Sequence, residues 1–92
     1  MTRPKTNPEL PKLDFSTFVL SVIGSAYVHL GDAPNPEGQP NETNFALARQ
    51  DIDLLSILQD KTKGNLTGDE ERLLEQAIYD LRVRFIEVSK VK

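Results

Sequence analysis

Lys61-Thr62-Lys63-Gly64-Asn65-Leu66-Thr67-Gly68-Asp69-Glu70 carries one helix end and one helix start within ten residues. Gly64 suits a stop, because a residue without Cβ takes the left-handed conformation past a helix end at no steric cost. Lys61 and Lys63 sit favourably beside the last free carbonyls. Thr67 and Glu70 fit a capping box, in which each side chain satisfies the other's backbone N–H. Asp69, Glu70 and Glu71 suit the positive end of the helix dipole. The link 63–66 is short, so the spacing predicts an antiparallel hairpin of two helices.

Upstream of this turn, a helix is expected over 45–62 with Asn44 as N-cap. Ala48, Ile52 and Leu55 line one edge, Leu47, Leu54 and Leu58 a neighbouring one, and Ile57 widens the arc. Arg49, Asp53, Ser56 and Asp60 mark the wet side. Asp51 falls inside the apolar arc, and a buried carboxylate needs a partner. Arg82, Arg84 and His29 are the candidates. Downstream, a helix over 68–88 has a main stripe of Leu74, Ala77, Ile78, Leu81, Phe85 and Val88. Tyr79, Val83 and Ile86 form a second stripe with the same helical spacing.

A further helix is expected over 15–30, between Asp14 as N-cap and Gly31 past its end. Phe15, Phe18, Val19, Leu20, Val22, Ile23, Ala26, Tyr27 and Leu30 share one wide arc. The other side holds Thr17, Ser21, Gly24, Ser25 and Val28, which are small or slim. This helix has almost no charge and is expected to be buried on most sides, packed across the hairpin. Segment 32–43 has three prolines and no periodicity, so it reads as a loop. Residues 1–12 read as a disordered arm, and 90–92 as a frayed end. Pro8 and Pro11 match a P-x-x-P ligand spacing that is common by chance. The fold class is all-α, a single three-helix domain over 13–89.

Several chemistries lack their residues. There is no cysteine, and His29 is the only histidine, so neither a disulfide nor a Cys/His zinc site is expected. No cofactor motif is present. In the loop, Gly38 as an EF-hand turn glycine would put Ala33 and Asn44 at ligand positions that need acids. The formal net charge of -3 offers no field for phosphates, and a recognition helix opening on Asp69, Glu70 and Glu71 would repel DNA. The uncharged stretch 15–30 is shorter than the ~20 residues that span a bilayer. His29 as a base, with Ser21 or Ser25 as nucleophile, lacks an evident oxyanion hole. Asp51 and Asp53 point to different sides of a helix and cannot share a proton.

Particular strings resemble a known family. Leu13-Asp14-Phe15-Ser16-Thr17-Phe18-Val19-Leu20-Ser21, His29-Leu30-Gly31, Leu47-Ala48-Arg49-Gln50 with Ile52-Asp53-Leu54-Leu55, and above all Lys61-Thr62-Lys63-Gly64-Asn65-Leu66-Thr67 are similar to the bacterial family named domain of unknown function 1844. Glu70-Glu71, Leu74 and Tyr79-Asp80-Leu81-Arg82 continue the likeness, which covers most of 10–85. The resemblance implies a small bacterial helical protein, with no activity, cofactor or catalytic residue to carry over. In that family a small hydroxyl residue usually follows the Ala-Arg-Gln run, where this chain has Asp51.

Three helices of this length display more apolar surface than they can hide from one another. The expectation is a non-enzymatic, cytoplasmic interaction module that homo-oligomerises, most simply as a symmetric dimer. The expected contacts are Ser21, Gly24, Ser25 and Val28 of the first helix, and Tyr79, Val83 and Ile86 of the third. Two alternatives stand beside it: an adaptor that receives a different protein in an apolar groove, and an enzyme centred on His29 and Asp51.

Overall fold

The structure, a computed structural model, describes residues 13–34 and 42–91. It has three helices: α1 (Phe15–Leu30), α2 (Phe45–Lys61) and α3 (Gly68–Val91). Every pair of helices is in contact, and there is no strand among the described residues. The expected arm 1–12, with Pro8 and Pro11, lies outside the described residues, as does the middle of the loop.

The caps form as their residue types require. The Asp14 side chain accepts from the Thr17 N–H at 2.8 Å. Asn44 accepts from the Leu47 N–H at 3.0 Å. Thr67 and Glu70 close the capping box in both directions, at 2.8 and 3.2 Å. Gly31 ends α1 in the left-handed region at φ 85°, where its N–H and that of Asp32 return to the last turn.

Two boundaries differ from the sequence expectation. Thr62 caps α2 instead of closing it: its N–H and hydroxyl both bond the Leu58 carbonyl, and the left-handed Gly64 follows in the turn. α3 does not end near 88 but runs to Val91, so 90 and 91 are helical. No glycine or proline interrupts 69–91, so nothing in the backbone stops the helix earlier.

One cluster forms the core. Val19, Val22, Ala26 and Leu30 of α1 meet Ala48, Ile52 and Leu55 of α2 and Leu74, Ala77, Ile78 and Leu81 of α3. Phe45, at the start of α2, packs edge-on against Phe85 late in α3, with ring centres 5.4 Å apart. The expectation that α1 is buried on most sides does not hold. Phe18 and Leu20 are exposed, and only the Val19–Val22–Ala26–Leu30 row is enclosed. Two neighbouring helices cannot surround a third, so the rest of its apolar arc stays at the surface.

Candidate functional site

The seam between α1 and α2 holds a polar cluster. His29 stands in the last turn of α1, and its carbonyl accepts the Asn44 N–H at 2.7 Å, which fixes the end of α1 beside the start of α2. Nearly two turns into α2, Asp51 faces back, and its Oδ2 lies 2.6 Å from His29 Nδ1. Ser25, a turn before His29, donates to the same oxygen at 3.4 Å. The side chains of His29 and Asp51 are 27% and 16% exposed. The odd carboxylate of the apolar arc therefore takes His29, not Arg82 or Arg84, as its partner.

This cluster is not arranged as a catalytic triad. In a triad the carboxylate holds one ring nitrogen and the hydroxyl addresses the other. Here Ser25 goes to the carboxylate itself, so its proton is not directed at the imidazole. An ionised carboxylate only accepts, so a hydrogen bond to it here needs the tautomer with the hydrogen on Nδ1. Among the described residues, no group of three or more His, Asp or Glu side chains is placed to hold a metal ion.

The two arginines go elsewhere. Arg82 donates to Ser56 of α2 at 3.0 Å. Arg84 grips Asp32, just past α1, through two bonds of 2.5 and 2.8 Å, and reaches Glu87 at 3.2 Å. The hydrogen bonds from Arg84 hold the Asp32 carboxyl below the usual carboxylate range, and the Arg84 guanidinium is held more firmly protonated in turn.

The expected contact residues fall into two separate sets. On α1, Ser21 and Gly24 are exposed, and Val28 is half-buried. A Cβ added at Gly24 would meet nothing within 4 Å. Ser25, expected on this free stripe, is instead drawn into the seam by Asp51. On α3, Tyr79 is 66% exposed, and Val83 and Ile86 are also exposed.

Other surface residues, named in the apolar arcs, are not among the expected contacts. Phe18, Leu47, Leu54 and Ile57 are all exposed. The row 18-22-25-29 of α1 contains His29 and Ser25, and the row 47-51-54-58 of α2 contains Asp51, so these two rows meet at the seam. Phe18, Leu47 and Leu54 form its rim. The spacing 47-50-54-57-61, alternately three and four residues, was the available signal for an α2 face turned outward.

No described helix is long and apolar enough to cross a membrane. Comparison with curated proteins and with solved structures finds no match to this chain. The family model of the domain of unknown function (DUF1844) matches residues 12–87, and the chain with its three capped helices belongs to that family.

Proposed function

We propose that this protein is a non-enzymatic, cytoplasmic interaction module that self-associates through surplus apolar surface, as a symmetric dimer. The observation that carries the reading is the apolar surface around the α1–α2 seam: Phe18, Leu47 and Leu54 at its rim, and Ile57 on the outward face of α2, are each between 39% and 55% exposed. Beside them lies the small stripe of Ser21, Gly24 and Val28, and residues 15–30 include no Asp, Glu, Lys or Arg. A two-fold axis sets a patch against its own copy, so any net charge near the axis meets itself. The α1 side of this surface carries no such penalty. The absence of cysteine suits a reducing compartment.

Size-exclusion chromatography with light scattering tests the reading. The expected result is a mass of twice the 10.3 kDa chain at micromolar concentration, reduced to one chain by Leu54→Glu with Ile57→Glu. A wild-type monomer under those conditions overturns it.

A further inference from the structure

The outer face of α3 carries an apolar row edged by charge. Gln76, Tyr79, Val83, Ile86 and Lys90 alternate at intervals of three and four residues, the spacing of a coiled-coil seam. The b, c and f positions of the same repeat, among them Ala77, Ile78, Leu81 and Phe85, pack into or against the core. α3 therefore carries two apolar seams, one satisfied inside the domain and one turned outward. A groove of about 380 Å³ lies between this seam and Gln59 of α2, with Tyr79, Val83 and Ile86 in its wall and Glu75 and Arg82 at its edge.

The charges at the edges decide which helix fits. Asp80 and Glu87 follow Tyr79 and Ile86 directly, so they form one edge, and both are acidic. Both are exposed: Asp80 accepts only a neutral bond from Gln76 at 2.9 Å, and Glu87 shares Arg84 with Asp32. The other edge holds Glu75, Arg82 and Ser89. Such edge positions set partner choice and orientation in helix pairs. A second α3 docked antiparallel would bring the acidic edge against itself. Docked parallel, it would set Arg82 against Glu87 of the copy but Glu75 against Asp80, and the two effects cancel. Self-pairing gains nothing from these charges.

The geometry points to a different occupant: the outer seam of α3 is a docking site for an amphipathic helix of another protein, one with apolar anchors at i, i+3/i+4 and i+7. Its basic residues run along the edge that meets Asp80 and Glu87, and an acidic residue meets Arg82. Helix-in-groove recognition of this kind places the apolar row in the groove and lets the rim charges choose among partners. The α1–α2 rim is a separate surface, so this site does not depend on self-association there.

The test uses the full chain and two synthetic helical peptides of about three heptads with leucine at a and d. One carries lysine along the edge facing Asp80 and Glu87; the other carries glutamate there. Binding is read by fluorescence anisotropy and by NMR shift mapping, with circular dichroism melts to verify folding. The lysine peptide is expected to bind at least about tenfold more tightly and to shift Tyr79, Val83 and Ile86. Val83→Glu is expected to abolish binding with the charges left in place. Asp80→Lys with Glu87→Lys keeps the apolar row and is expected to invert the peptide preference. Equal binding of the two peptides, or binding that survives Val83→Glu, overturns the proposal. So does loss of self-association in Ile86→Glu, because the seam is then filled by a second copy.

Discussion

Arg84 of α3 holds Asp32, the second residue beyond α1, through a two-point ion pair of 2.5 and 2.8 Å. The pair joins positions 52 residues apart and ties the exit of α1 to the third helix. The folded chain keeps Asp32 ionised at a pH where the unfolded chain has begun to take up a proton. The stabilisation is therefore complete above the ordinary carboxylate range, around pH 4, and is lost as the pH falls through the lower folded value. Both partners are partly in water, so the effect is modest and weakens with salt. Asp32→Asn is expected to lower Tm at pH 7, and its Tm and that of the wild type should converge as the pH falls towards about 2. Thermal melts of the two proteins across that range check it.

His29 and Asp51 form another long-range polar contact, and it is less exposed. Replacing either one leaves its partner half-buried without its charge-assisted bond, at a cost of about 1–3 kcal/mol. The double variant His29→Ala with Asp51→Ala is expected to lose little more than either single one, giving a coupling of about 1–2 kcal/mol in a double-mutant cycle. Urea melts measure it. Additive losses would mean that the 2.6 Å contact contributes nothing of its own.

Three glycines should respond to alanine in a definite order. Gly31→Ala is the worst: φ is +85°, and the new Cβ would lie 2.8 Å from Thr43 Oγ1. The left-handed strain of about 1–2 kcal/mol is then joined by displacement of the Thr43 side chain. Gly64 has the same φ in open space, so only the backbone strain applies. Gly24 is helical and unobstructed, and alanine there should stabilise the monomer by about 0.5–1 kcal/mol. Denaturant midpoints in that order are the expected result.

The two seams of α3 should separate cleanly under alanine. Leu81 is fully buried, so Leu81→Ala should cost about 2–5 kcal/mol. Ile86 is 53% exposed, and Ile86→Ala should change the stability of the isolated chain by less than about 0.5 kcal/mol. A large loss at Ile86 would mean that the outer seam already supports the fold.

The caps were the most legible part of the chain. Asp14, Asn44, Thr67 and Glu70 act on backbone groups a few residues away, so local spacing suffices to place them. Asp51 was legible as an anomaly, but its partner was not. Choosing between His29, Arg82 and Arg84 requires the rotation of each helix about its axis, which only the packed core sets. The same rotation decided that Ser25 turns into the seam while Ser21 stays outside. Phe18 and Leu20 were misjudged for another reason. Their apolar arc is wide enough for full enclosure, but enclosure depends on how many helices are available to supply it. Gly64 signalled a stop correctly, although the helix itself closes at Lys61, because the Thr62 hydroxyl bonds Leu58 first.

The clasp at the seam has an engineering consequence. The Asn44 N–H reaches the His29 carbonyl at 2.7 Å, and the Thr43 hydroxyl reaches the Leu30 carbonyl at 3.4 Å. The two feet of the loop are thus fastened together independently of what runs between them. Lengthening a closed loop costs only about 0.6 kcal/mol per doubling. A peptide tag or a reporter domain spliced in between Pro34 and Glu42 should leave the three helices standing.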